Sequence, residues 1–131
     1  MTIGIIDDDL VYKFVIRTLI RALSPATLIL ELNDGQEAIE FFNQNMDEKS
    51  LLPDIILLDI NMPRLNGWQF LDRLRNSNFA FNRHSIYMVS SSTDEIDIAT
   101  ANSYQEVRRF ISKPIRKEVL REIISEAMVG L

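Results

Sequence analysis

The chain has 131 residues, of which 47% are hydrophobic and 25% charged, a balance typical of one folded domain and not of a disordered tail. Its 14 basic and 19 acidic residues leave a formal net charge of -5, which gives no general attraction to nucleic acid or to an anionic membrane. Cysteine is absent, which excludes disulfides and thiolate metal sites and suits the reducing cytoplasm.

The N-terminal segment offers no signal peptide, because acidic residues follow Ile6 directly and no basic or long apolar region precedes them. Further along, no apolar run reaches the ~18 residues that a transmembrane helix needs. We therefore expect a single cytoplasmic domain over residues 1–131, without a membrane anchor.

Short apolar runs alternate with segments of helical periodicity along the chain. Each run is rich in Ile, Leu and Val and too short for an independent helix, which favours a buried strand. The predicted strands are residues 3–6, 28–32, 54–58, 86–89 and 109–112.

Helical periodicity follows each predicted strand. In the first helix Tyr12, Ile16 and Leu19 recur at three- and four-residue steps, and Pro25 ends it. The other helices are predicted after Gly35, after Gly67, over 94–102 and over 116–128. Strict alternation of strand and helix predicts an α/β fold, a doubly wound five-stranded parallel sheet with helices on both faces.

Polar side chains stand where four of the predicted strands end. The carboxyl ends of parallel strands meet at one edge of the sheet, and the usable crevice of an open sheet lies outside that edge. Acidic, hydroxyl and amine groups are expected to converge there, and they are Asp7, Asp8, Asp9, Asp59, Ser90, Ser91, Ser92 and Lys113.

These groups favour a magnesium site that handles a phosphoryl group. Adjacent carboxylates ~4 Å apart repel by about 4 kcal/mol per pair at an effective dielectric of ~20, so a cation is expected among them. Oxygen ligands without cysteine or a nearby histidine suit Mg²⁺, which commonly completes its shell with phosphate oxygens. Lys113 and one serine hydroxyl would neutralise the remaining phosphoryl oxygens, as phosphoryl transfer requires.

Four motifs lie in order at successive strand ends: the acidic pair, LLDINMPRLNG at 57–67, a hydroxyl residue after the fourth strand, and FISKP at 110–114. Together they resemble the receiver domain of two-component response regulators, over essentially the whole chain. The resemblance implies a flavodoxin-like (βα)5 fold and a stand-alone receiver similar to the chemotaxis regulator. We expect no output domain after residue 131.

The resemblance also implies roles for individual residues. Asp59 matches the phosphoacceptor, which attacks a phosphohistidine, and Lys113 matches the phosphate-binding amine. Asp8 matches a direct Mg²⁺ ligand, Asp7 binds the metal through a coordinated water, and the backbone carbonyl of Asn61 completes the shell.

Further matches concern switching and the lifetime of the acyl phosphate. Ser90 matches the switch hydroxyl and Phe110 the aromatic switch residue, although Phe110 could equally be a strand aromatic that fills a half-buried surface. Asn61 and Ser92 match positions that tune the lifetime. The Lys113–Pro114 bond is expected to be cis, as is usual in the family.

Two features of the sequence lie outside this pattern. Asp9 is interpreted as the cap of the first helix and not as a metal ligand. The sequence also departs from the usual receiver pattern, since Ser91 stands where alanine is common after the switch hydroxyl and NSYQEVRRF stands where an Ala-Gly pair is common before the fifth strand. These departures affect the geometry expected for residues 94–108. That segment falls in the region that forms the family's output surface.

The function expected from the resemblance is a signalling phosphoacceptor and not a turnover enzyme. Its partners would be a sensor histidine kinase or histidine phosphotransfer protein and a separate output protein. One alternative is a Mg²⁺-dependent phosphohydrolase of the haloacid dehalogenase kind, but those enzymes need an aspartate where Asn61 stands. The other is an unphosphorylated docking receiver, which the intact Asp8, Asp59, Ser90 and Lys113 disfavour.

Overall fold

The computed structural model describes residues 1–76, 86–91 and 94–129, and within them five strands pair in one parallel sheet. They are β1 (Thr2–Ile6), β2 (Leu28–Leu32), β3 (Ile55–Asp59), β4 (Ile86–Ser90) and β5 (Val107–Ser112), in the spatial order β2-β1-β3-β4-β5. The strand order reverses between β1 and β3. That reversal opens a crevice at their carboxyl ends.

Helices connect the strands, and they are α1 (Leu10–Leu23), α2 (Gly35–Gln44), α3 (Gly67–Asn76), α4 (Glu95–Ser103) and α5 (Lys117–Val129). A 3-10 turn, Lys49–Leu51, precedes β3. The predicted α/β fold is confirmed. Within the described ranges, none of these helices combines the length and apolar character needed to cross a bilayer.

The core is divided between the two faces of the sheet. On one face Ile56 and Leu58 of β3 pack in a cluster with residues of α2, α3 and α4. On the other face Ile55 and Leu57 pack in a cluster with residues of α1 and α5. Because successive strand residues point to opposite faces, the continuous aliphatic run of β3 is buried on both sides, as predicted.

Strand β5 begins two residues earlier than the sequence predicts. It includes Val107 and Arg108, and it therefore contains two consecutive arginines, Arg108 and Arg109. Arg108 pairs with Glu126 at 2.9 Å and Arg109 with Glu122 at 3.1 Å, both on α5. Acidic residues on α5 pair with the arginines of this edge strand. The apolar run in the sequence therefore covers only part of β5.

The departing segment 94–108 is attached to α3 by an aromatic stack. The rings of Trp68 and Tyr104 lie 5.3 Å apart and 23° from parallel. Arg75 covers the Tyr104 ring at 4.5 Å and pairs with Glu106 at 2.6 Å. These contacts connect the end of α4 and the start of β5 to α3.

Candidate functional site

The backbone after β1 buries the side chain of Asp7 and leaves that of Asp8 exposed. The N–H of Asp7 donates to Leu32 O at 3.1 Å, which extends the β1–β2 pairing by one residue and buries the Asp7 carboxylate. The N–H of Asp9 donates to Asp7 Oδ1 at 2.9 Å and fixes that carboxylate's orientation. Asp8, between them, is exposed at the edge of the sheet.

Asp9 caps α1, as the sequence predicts. Its Oδ1 accepts a hydrogen bond from the N–H of Tyr12 at 3.1 Å, and its backbone is extended, as is usual for an N-cap. The three adjacent acids therefore have separate positions, one buried, one exposed and one capping.

Asp59 is the last residue of β3, and its carboxylate is buried at the same edge. The turn that follows returns tightly, since the N–H of Gly67 donates to Ile60 O at 2.9 Å. A Cβ atom on Gly67 would lie 2.4 Å from the Asp59 carbonyl oxygen. Only glycine fits this close approach to the strand that carries Asp59.

Four predicted site residues come together at this edge. Asp7, Asp8 and Asp59 each offer a carboxylate oxygen, and the three oxygens lie within 4.8 Å of one another. The ammonium of Lys113 lies 2.8 Å from Asp7 Oδ2 and 3.7 Å from Asp59 Oδ2. Three distant segments of the chain thus form one cluster.

The backbone around Lys113 has two features that fix its position. The Lys113–Pro114 peptide bond is cis, which confirms that expectation. The N–H of Lys113 donates to Ser90 O at 2.9 Å, so β4 and the segment after β5 remain paired up to the site.

The cluster holds more negative than positive charge in a buried place. Burial and the neighbouring charge of Asp7 together raise the pKa of Asp59 to about 6, and Lys113 acts in the opposite direction. Burial also raises the pKa of Asp7, although its ion pair with Lys113 and the N–H of Asp9 act in the opposite direction. Three carboxylates beside one ammonium form an oxygen-rich set that fits a hard divalent cation.

Ser90 is the last residue of β4, and Phe110 lies on the neighbouring strand β5. In the β4–β5 pairing Ser90 stands opposite Ser112 and Met88 opposite Phe110, so Ser90 and Phe110 lie on the same face of the sheet. Ser90 is fully buried. Phe110 is half-buried and packs against the cluster under α2, α3 and α4.

The two positions expected to tune the acyl-phosphate lifetime are placed differently. Asn61 is exposed two residues beyond Asp59, in the loop before α3. Ser92 lies outside the described residues. Ser91 is exposed just after β4.

The loop after β3 carries an ion pair that sequence patterns did not reveal. Arg64 donates from Nε and Nη2 to the carboxylate of Asp34, both at 3.0 Å, and Asp34 in turn caps α2 through the N–H of Glu37. Although burial opposes the shift, the Glu37 N–H and Arg64 lower the pKa of Asp34. The 30-residue separation of this pair gives no periodic signal.

Tyr12 is a second residue whose place at the site was not expected. Its helical spacing predicted only a core position, and it is indeed buried. The Lys113 ammonium, however, lies over its ring, 4.3 Å from the centroid. No pattern within one segment of the sequence signals a contact between a helix residue and Lys113.

Comparison with known proteins agrees with this geometry. A family model described as the response regulator receiver domain matches residues 3–125. The nitrate/nitrite response regulator protein NarL of Escherichia coli is 32% identical over 98% of this chain, which spans 55% of NarL's length. The chemotaxis protein CheY1 of Helicobacter pylori is 28% identical over 99% of this chain and 98% of its own.

A solved structure is similar over the same length. The crystal structure of a two component response regulator from Cytophaga hutchinsonii superposes with a TM-score of 0.81 at 28% identity. The match covers 98% of this chain and 96% of that one.

Proposed function

This chain belongs to the family of response regulator receiver domains, and from that membership we propose that it accepts a phosphoryl group on Asp59. The observation that supports the proposal is the position of the Asp59 carboxylate, which is buried beside Asp7, Asp8 and the ammonium of Lys113. A nucleophilic carboxylate, further acidic ligands and a fixed cation are the components that phosphoryl transfer requires.

In the proposed reaction, an oxygen of Asp59 attacks the phosphorus atom of a phosphohistidine on a partner protein. An O–P bond forms, the N–P bond breaks, and the imidazole leaves with its electron pair and takes up a proton. The ionised carboxylate of Asp59 is the attacking form. The positive charge of Lys113 favours that ionisation and so assists the step. The product is an acyl phosphate on this chain.

Mg²⁺ is the proposed cofactor, and the carboxylate set fits it. Asp8 and Asp59 would hold it directly, Asp7 through a coordinated water, and Asn61 through its backbone carbonyl. When bound, the ion supplies positive charge that neutralises the phosphoryl oxygens. It also offsets the excess of carboxylates at this edge.

Lys113 is proposed to bind one phosphoryl oxygen. The hydroxyl of Ser90 is proposed to donate a hydrogen bond to another. A shift of Ser90 toward the phosphoryl group would free space on the face that it shares with Phe110. Phe110 is half-buried, so its ring can repack in response. This pair is the proposed two-state element that changes the protein-binding surface.

The proposed partners follow from this chemistry. A sensor histidine kinase or a histidine phosphotransfer protein would supply the phosphoryl group, and a separate output protein would read the changed surface. The chain acts as a stoichiometric acceptor in this scheme. Its net charge of -5 gives DNA no electrostatic reason to be the direct partner.

The test is phosphorylation of the purified protein with Mg²⁺ and a small phosphodonor such as phosphoramidate, followed by intact-mass measurement. We expect one phosphoryl group on the wild type and on Asp47→Asn, and none on Asp59→Asn. Asp47 is a matched control because it is an exposed aspartate beyond the C-terminal end of α2, at the opposite edge of the sheet.

Two results would count against the proposal. Uptake by Asp59→Asn equal to that of the wild type would place the acceptor elsewhere. Steady hydrolysis of phosphate esters beyond one equivalent per chain would favour the phosphohydrolase alternative.

A further inference from the structure

The side chain of Lys113 is held on three sides. Asp7 and Asp59 provide carboxylates at 2.8 Å and 3.7 Å, and the face of the Tyr12 ring lies 4.3 Å from the ammonium. Lys113 is only 14% exposed as a side chain, so little water competes for these contacts. The ring is thus the one uncharged wall among the described contacts of this ammonium.

A lysine needs such a wall more than most residues. Its side chain rotates freely about four carbon–carbon bonds, and the unequal carboxylate distances favour a position close to Asp7. A ring face attracts a cation through its quadrupole, and the attraction increases as water is removed. Tyr12 therefore adds an attraction that holds the ammonium at its position beside both carboxylates.

The position of Tyr12 suits this role because the helix start itself is fixed. Asp9 caps α1 through the N–H of Tyr12, so the first turn carries the ring at a set height above the sheet. The ring also packs in the cluster between the sheet, α1 and α5, and is 8% exposed. Backbone and packing together hold the ring in place before any ligand binds.

The Tyr12 hydroxyl takes no part in holding Lys113. Within the part of the chain that the structure describes, Tyr12 Oη is buried and has no hydrogen-bond partner. Phenylalanine would therefore preserve the ring contact and remove no hydrogen bond from this structure. The hydroxyl and the ring can be tested separately.

We propose that Tyr12 is a positioning residue for phosphoryl transfer: its ring holds the Lys113 ammonium where that group meets the incoming phosphoryl oxygens. The inference rests on the proposed function of Asp59. It assigns to an apolar helix position a role that acts through another residue, and Tyr12 itself touches no reacting atom.

The test compares Tyr12→Phe with Tyr12→Met in phosphorylation by phosphoramidate at saturating Mg²⁺. Losing the ring should slow phosphorylation about tenfold, which is the scale of a partly desolvated cation–π contact, whereas the conservative Phe variant should rescue it. Ile16→Val is the matched core control, since Ile16 lies one turn further along α1 in the same cluster. Its rate should equal that of the wild type.

A double-mutant cycle with Lys113→Met separates positioning from simple destabilisation. In the Lys113→Met background Tyr12→Met should slow the reaction no further, because the group that the ring holds is gone. The same cycle on urea unfolding in a chelator reports the coupling without any phosphorylation. A favourable Tyr12–Lys113 coupling is expected there.

Each remaining outcome decides the inference. A wild-type rate in Tyr12→Met, a Phe variant as slow as the Met variant, or additive effects of Tyr12→Met and Lys113→Met would overturn it while Asp59 still accepts phosphate. A wild type that takes up no phosphoryl group would instead overturn the proposed function, and this inference with it.

Discussion

Lys113 pairs more closely with Asp7 than with Asp59, at 2.8 Å against 3.7 Å from its ammonium to the nearer carboxylate oxygens. In this arrangement the lysine partly neutralises the acid that is expected to face the metal. A divalent cation among the carboxylates would take over that task and leave the ammonium for the phosphoryl group. The resting ion pair is thus compatible with the proposed ligand set.

The first prediction concerns magnesium and stability. Because the carboxylates converge only in the folded chain, Mg²⁺ should raise the free energy of unfolding, by about 2.7 kcal/mol at a concentration one hundred times Kd. Asp8→Asn should abolish most of the increase, which thermal unfolding with Mg²⁺ or with a chelator measures. Asp9→Asn is the control, since asparagine also caps helices and Asp9 faces Tyr12 N–H instead of the cluster. An equal loss in both variants would refute the ligand assignment.

The second prediction concerns pH in the absence of metal. Burial and Asp7 raise the pKa of Asp59 from 3.8 to about 6, so the folded state binds this proton more tightly than the unfolded state does. The charged carboxylate therefore destabilises the fold above about pH 6, and this penalty disappears as the pH falls to 3.8. Asp59→Asn should be more stable than the wild type near pH 7 by roughly 1 to 3 kcal/mol.

Urea unfolding of both proteins in a chelator, at several pH values, measures this difference. It should shrink steadily as the pH is lowered through about 6. A difference between Asp59→Asn and the wild type that stays constant over this range would rule out the raised pKa.

The third prediction concerns the close approach behind Asp59. In Gly67→Ala the new Cβ would lie 2.4 Å from the Asp59 carbonyl oxygen, so the strand end or the turn must move. We expect a loss of stability of about 1 to 3 kcal/mol and a lower phosphorylation rate. Gly4→Ala is the comparison, because its Cβ would lie 3.1 Å from the Pro53 side chain and at an ordinary contact distance of 3.7 Å from the Ile55 carbonyl oxygen. That variant should phosphorylate at the wild-type rate, and an unaffected Gly67→Ala would show that the turn is more compliant than its geometry indicates.

Most of the fold could be predicted because buried parallel strands appear in the sequence as continuous runs of aliphatic residues. The β1, β2 and β4 runs lie within one residue of their observed bounds. Strand β5 begins at Val107, before its predicted start, because α5 supplies acids to the arginines of an edge strand. The apolar content of a segment does not show that its arginines pair with acidic residues of another element.

The site was predictable to the extent that it depends on topology. Asp7, Asp8, Asp59 and Lys113 each stand at or just past a strand end, and the carboxyl edge of a parallel sheet brings strand ends together. The Tyr12 ring contact and the Arg64–Asp34 pair depend instead on side chains from separate elements meeting at particular angles. No spacing rule in one segment encodes such contacts.

The last prediction concerns Arg64, whose backbone is left-handed at φ 66°. The N–H of Leu65 donates to Pro63 O at 2.7 Å across it, which closes a tight turn that side-chain-bearing residues adopt with strain. The pair with Asp34 offsets that strain and ties the loop that contains Asn61 to the start of α2. Arg64→Ala removes the pair and keeps the strain, whereas Arg64→Gly removes both. Urea unfolding should therefore show Arg64→Ala less stable than Arg64→Gly by about 1 kcal/mol, and the reverse order would mean that the turn is unstrained.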